Sequence, residues 1–181
     1  MIRITTLGLS AALVAFATPA VAQDAPATAQ PYVGASAGYH DVFDNPFGDD
    51  GGAIIGGVAG VDVPLSGKST GVIAGVEANF HLGTGAVDAD YGVAARLGYK
   101  FPSGGVAYVR GGWQWINIDV GNVTSGLFTA DELGISDTDD DYLVGVGGEF
   151  PVGGRDARLR IGVDTVSFDT WRPTAAFIIG F

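Results

Sequence analysis

Eight ionisable residues fall on one phase of an alternating chain: Asp62, Glu77, Arg96, Lys100, Arg110, Glu149, Arg160 and Asp164. They share that phase with glycine, while the opposite phase is apolar. Four carboxylates and four cations on one face of an extended structure have an obvious chemistry, which is to neutralise one another. An unpaired charge held away from water is costly. The spacing therefore predicts a compensated ion-pair network filling a polar interior. The other use of such a face is a polar conduit.

Other residues of chemical interest carry less. Asp137, Asp139 and Asp141 have the spacing that opens many calcium loops, but Tyr142 stands where an EF-hand needs glycine, and the bidentate Glu at its twelfth position is missing. A weak divalent-cation site is the most this triplet offers. His40 and His81 are the only two histidines, and neither has a metal-binding or nucleophile motif beside it in the chain; HExxH, GxSxG and CxxC are all missing. Pairs of glycine such as those in GVGG precede no helix, so they do not read as a phosphate-binding loop. With no cysteine, thiol and disulfide chemistry fall away. The net charge of −11 argues against a nucleic-acid partner, which would need clustered Lys and Arg. Neither catalysis nor a cofactor is expected.

The elements that must position these residues are strands. From Tyr32 onward the period is two. Val33, Ala35, Ala37 and Tyr39 share one face, as do Val72, Val76 and Phe80, then Tyr91, Val93, Leu97 and Tyr99, and finally Phe177, Ile179 and Phe181. Eight such segments occur. A water-soluble barrel would place its large apolar side chains inside and its charges outside. Here the reverse partition is written: a glycine-and-charge face is too small and polar for a dry core, whereas the apolar face has the aromatics Tyr32, Tyr39, Phe80, Tyr91, Tyr99, Phe101, Trp115, Tyr142, Phe150 and Phe181, mostly toward strand ends. That is a lipid-facing band with interfacial aromatic girdles. Hydrophobic residues make up 47% and charged residues only 16%, yet no run after the N-terminus approaches the ~18 apolar residues of a membrane helix. The expected fold is all-β, an eight-stranded antiparallel transmembrane β-barrel.

The connections alternate as well. PLSGKST, PSGG and PVGGRDA read as tight turns, whereas residues 41–52, 81–90 and 119–140, with a shorter segment at 167–172, read as the longer outside loops. Thirteen of the twenty acidic residues fall in these outside connections. At the N-terminus, Arg3 precedes an apolar run and then Ala20 and Ala22 in A-x-A spacing, which reads as a signal peptide over 1–22 cleaved after Ala22. Residues 23–30 read as a flexible lead-in and 31–181 as the barrel.

At this point PYVGASAGYHDV, residues 31–42, resembles the first strand of the small outer-membrane barrels of Gram-negative bacteria, the OmpA-like, OmpX-like and opacity-type porin family. TAAFIIGF, residues 174–181, resembles their closing strand, and Phe177, Ile179 and Phe181 at two-residue steps match the end motif read by the barrel-assembly machinery. The resemblance spans residues 31–181. It implies a place in the cell outer membrane among lipid and lipopolysaccharide, the assembly machinery as partner during biogenesis, and an extracellular ligand taken, if any, by the loops. Asp137, Asp139 and Asp141 could then bridge to lipopolysaccharide phosphates through a divalent ion. Lipid A deacylases of similar barrel size need a His followed by a nearby Ser, a pattern missing at both His40 and His81. Unlike full-length OmpA proteins, no peptidoglycan-binding domain is expected. The expected function is structural or surface-interacting, with a narrow porin or small-molecule conduit as the alternative.

Overall fold

A computed structural model describes residues 28–41, 51–66, 70–118, 138–153 and 156–181. The expected cleavage site at Ala20 and Ala22, most of the lead-in and Asp137 lie outside these residues. The chain forms eight strands: β1 (Gln30–Asp41), β2 (Gly51–Pro64), β3 (Gly71–Gly83), β4 (Val87–Lys100), β5 (Val106–Ile118), β6 (Thr138–Pro151), β7 (Ala157–Val166) and β8 (Arg172–Gly180). Each pairs antiparallel with its sequence neighbour, and β8 closes on β1 with Tyr32 opposite Gly180 and Gly38 opposite Thr174, giving a closed barrel. Closure leaves no edge, so every strand has a hydrogen-bonded neighbour on both sides, the condition lipid imposes. The expected eight-stranded antiparallel barrel is the observed fold.

Period-two burial runs along every strand. Val33, Ile55, Val76, Val93, Val109, Val146, Ile161 and Phe177 are exposed on the outer surface. Asp62, Glu77, Arg96, Arg110, Glu149, Arg160 and Asp164 are buried within. Apolar packing inside is confined to small clusters, one of Tyr32, Val58, Ala176 and Ile178, another of Ile73, Val106 and Tyr108, and a third that includes Ile54, Ile116 and Leu143. Tyr91 stacks on Trp115 with centroids 5.7 Å apart, and Tyr99 meets Phe101 edge-on at 5.1 Å, at opposite ends of the barrel wall.

Three details differ from the expectations. Tyr32 belongs to the inner phase and is fully buried, so it is not a girdle aromatic. The connection expected over 81–90 is a tight hairpin instead: β3 runs to Gly83 and β4 begins at Val87, with Gly85 supplying a positive φ of 72°. Asp90 therefore sits in a strand, facing inward. Likewise β6 begins at Thr138, which puts Asp139 and Asp141 in the strand rather than in the loop. We refer below to the end carrying residues 42–50, 84–86, 119–137 and 167–171 as the loop end, and the other as the turn end.

Candidate functional site in the lumen

Closure of the barrel aims the inward side chains of all eight strands at one another. Near the turn end, Tyr32 of β1 donates its hydroxyl hydrogen to Glu77 Oε2 at 2.7 Å and accepts from Arg96 Nη1 at 2.9 Å. Glu77 is also paired with Arg110 and with Arg160. Arg160 and Arg96 each place an Nη2 2.7 Å from Glu149 Oε1, and Arg158 reaches Glu149 Oε2 at 3.0 Å. The guanidinium of Arg96 lies 4.3 Å from the Tyr108 ring centroid, and that of Arg160 lies 5.1 Å from the centroid of Tyr32, both within cation–π range. Asp62 is the loosest member: its carboxylate faces Arg96 Nε at 3.4 Å and takes no hydrogen bond.

Arg110 carries the network upward. Its Nε lies 2.7 Å from Asp164 Oδ1 and its Nη2 2.5 Å from Oδ2, a two-point clamp. Arg172 then joins Asp164, at 3.1 Å, to Asp90, at 3.0 Å. Asp90 is the hub of the loop-end half. It accepts from His81 Nδ1 at 2.8 Å, from His40 Nδ1 at 3.0 Å and from Gln114 Nε2 at 3.3 Å. Gln114 and Asn79 exchange amide hydrogen bonds at 3.0 and 3.3 Å. His81 Nε2 lies 2.6 Å from Ser36 Oγ.

The buried polar set therefore contains five arginines (Arg96, Arg110, Arg158, Arg160, Arg172) and five carboxylates (Asp62, Glu77, Asp90, Glu149, Asp164). Their formal charges cancel with both histidines neutral. Of the eight residues singled out in the sequence, seven come together in this lumen. Lys100 does not: it lies at the turn end, where its Nζ donates to Gln30 Oε1 at 3.1 Å. Three charged members escape a sequence reading. Arg158 precedes the segment read as strand seven, though its phase with Arg160 was a signal. Asp90 and Arg172 fall in the segments 81–90 and 167–172, which read as loops. The histidines escape because their partners are on other strands: Ser36 is 45 residues from His81.

At the loop end Asp141 accepts from Ser167 Oγ at 2.6 Å, and Asp140 from Trp113 Nε1 at 2.8 Å. Both carboxylates thus have protein donors. Among the described residues no cluster of His, Cys, Asp or Glu is arranged to hold a metal ion. Phe181, last of the assembly-motif residues, donates its backbone N–H to Pro31 O at 3.1 Å, while Phe177 and Ile179 face outward from β8.

Ail, the attachment invasion locus protein of Yersinia pestis, superposes with a TM-score of 0.49 at 12% identity, over 84% of this chain and 95% of that one. Neisserial surface protein A gives a TM-score of 0.47 at 16% identity, over 84% of this chain and 96% of that one. A search of curated proteins finds no match. The family model described as "Outer membrane protein beta-barrel domain" matches residues 8–178. The chain belongs to this family of outer-membrane β-barrels.

Proposed function

We propose that this outer-membrane barrel acts at the cell surface, as an anchored scaffold that displays acidic loops, and that its lumen is closed to the passage of solutes from one side to the other. The observation that carries the reading is the balanced set of five arginines and five carboxylates interlocked across the lumen. A barrel of eight strands is only wide enough for side chains to fill. Opening a path through this one would separate buried ion pairs, each strongly resisted. With passage blocked by paired charges, recognition of surface partners falls to the loop end.

The loop end has its own electrostatic character. Residues 41–50, 84–89, 119–141 and 167–171 contain many carboxylates and not one Lys or Arg. Such a rim favours cationic partners, and it approaches lipopolysaccharide phosphates through bridging divalent cations, with Asp137, Asp139 and Asp141 among the carboxylates offered. Export would follow removal of residues 1–22, and Phe177, Ile179 and Phe181 would present the chain to the assembly machinery. This role calls on no covalent chemistry.

Planar-bilayer recording on refolded protein tests the closed lumen, and protease treatment of intact cells tests the display. No steady ionic conductance, together with cleavage within 119–137 on whole cells, is the expected result. Stable channels in the wild type would refute the closed lumen and favour the conduit. Cleavage only after the outer membrane is opened would reverse the topology.

A further inference from the structure

Three strands bring a hydroxyl, an imidazole and a carboxylate into line inside the lumen. Ser36 is on β1, His81 on β3 and Asp90 on β4, and the contacts are 2.6 Å from Ser36 Oγ to His81 Nε2 and 2.8 Å from His81 Nδ1 to Asp90 Oδ1. An ionised carboxylate only accepts, so His81 carries its proton on Nδ1 and donates it to Asp90. The lone pair on Nε2 then faces Ser36, whose hydroxyl donates to it. This is the order of groups that turns a serine into a nucleophile: base on the hydroxyl, orienting acid on the base.

The local sequence explains how the groups meet. Gly56 of β2 is the register partner of both Ser36 and His81. A Cβ at Gly56 would collide with the carbonyl oxygen of Phe80 and lie 2.6 Å from His81 Cα. Glycine there lets the neighbouring strand close in, and serine and imidazole touch across its bare backbone. Asp90 is held independently by Arg172 Nη1, 3.0 and 3.1 Å from its two oxygens. The array is thus fixed on rigid strands rather than on loops.

A second observation points to a guest. Asp90 also accepts from His40 Nδ1, so with a single proton on the ring His40 presents Nε2 as a bare acceptor; this atom is buried and has no hydrogen-bond partner. A buried acceptor without a donor is unfavourable and marks a seat for a molecule that supplies one, as the water of ester hydrolysis does. Beside it the wall is apolar. Ile116, the register partner of Asp90, belongs to the cluster with Ile54, Val87 and Leu143.

We propose that Ser36, His81 and Asp90 form an acyl-transfer site within the lumen, for carboxylic esters with a short apolar acyl group. Ser36 Oγ adds to the ester carbonyl as its proton passes to His81 Nε2. The carbon–oxygen bond to the alcohol breaks, His81 returns the proton to the departing alkoxide, and the acyl group remains on Ser36. Water then repeats the sequence through His81 and releases the acid, so that ester and water give acid and alcohol. Asp90 balances the imidazolium in each half. The site adds a reaction to the surface role and does not depend on it.

The test uses the full barrel refolded in detergent, its folding verified by gel mobility before and after boiling. Phenylmethylsulfonyl fluoride should add a single sulfonyl group, mapped by mass spectrometry to Ser36, and p-nitrophenyl butyrate should release a burst of nitrophenol stoichiometric with barrel. His81→Gln, a near-isosteric change, should slow labelling at Ser36 at least a hundredfold while the gel shift persists. A folded wild type that stays unlabelled at Ser36 overturns the proposal, as does one that gives no burst above the micelle blank. Labelling that falls on other hydroxyls such as Ser66 or Ser103 overturns it too. Because the wild type decides these outcomes, misfolding of a variant would not rescue the idea.

Discussion

Replacing Arg110 by alanine probes the lumen where its two halves join. The guanidinium contacts Glu77 through Nη1 and clamps Asp164 at 2.7 and 2.5 Å. Removing it takes the buried balance from five cations and five anions to four and five. Neither carboxylate is left alone: Asp164 keeps Arg172 at 3.1 Å, and Glu77 keeps Arg160 and the Tyr32 hydroxyl at 2.7 Å. The three lost contacts, each worth ~1.5–3 kcal/mol in isolation, therefore do not add. What remains is one uncompensated charge in a space whose guanidinium was 6% exposed. Breaking a buried pair from one side costs about 3–5 kcal/mol, and this value is expected for Arg110→Ala. The assay is urea unfolding in detergent or lipid, followed by tryptophan fluorescence and by gel mobility. Lys100→Ala is the control, because Lys100 is half-exposed and bonds a neutral amide, so its loss should cost ~0–1 kcal/mol. Adding Glu77→Gln to Arg110→Ala restores formal neutrality and should recover part of the loss. Arg110→Ala unfolding at the same urea concentration as Lys100→Ala would refute the reasoning, since only a water-filled lumen could screen the charge so well.

The folded protein should migrate differently on SDS gels before and after boiling, because a closed ladder resists detergent; identical mobility would contradict the barrel. Deleting Phe181 should lower outer-membrane levels several-fold in cells while export continues, and unchanged levels would show that the end motif is incidental. Gly112→Ala should destabilise by about 1–3 kcal/mol, since its Cβ would strike Val93 O and lie 2.5 Å from Ala94 Cα. Gly111→Ala, one residue away on the outer face with Leu143 O at 3.7 Å, should be neutral or gain ~0.5–1 kcal/mol; equal effects in urea titrations would mean that the two residues do not face opposite sides.

Much of the architecture was legible because lipid and closure leave their mark locally. Val93, Leu97 and Arg96, Gly98 alternate within six residues, and no long-range knowledge is needed to see which face meets hydrocarbon. The site was legible only as composition. That Glu77, Arg96, Arg110 and Glu149 share a phase follows from counting by two, but which cation meets which acid depends on register and shear between strands far apart in the chain. Boundaries failed where local signals point the wrong way. Pro173 and the short polar run before it read as a loop, yet Arg172 opens β8 opposite Asp164. Asp88 and Asp90 look alike in sequence, but Asp90 keeps the inward phase of Arg96, while Asp88 sits at the irregular register between Val87 and Ala89 and is exposed.

Glycine links the two levels. Its abundance looks like weakness for a sheet, since glycine has no side chain to pack. Register shows otherwise. Gly60 is opposite Tyr32 and Glu77, Gly75 opposite Asp62 and Arg96, Gly92 opposite Asn79 and Gln114, and Gly145 opposite Arg110 and Asp164. A Cβ at Gly145 would overlap the Asp164 carboxylate, and one at Gly60 would overlap the Tyr32 hydroxyl. Tyr32, Asp62, Gln114 and Asp164 thus each lie over the bare backbone of a neighbouring strand. In a barrel of eight strands this alternation of large and absent side chains is what lets five guanidinium groups and five carboxylates share one lumen. The glycines and the charges that stood out separately along the chain are two halves of one packing solution.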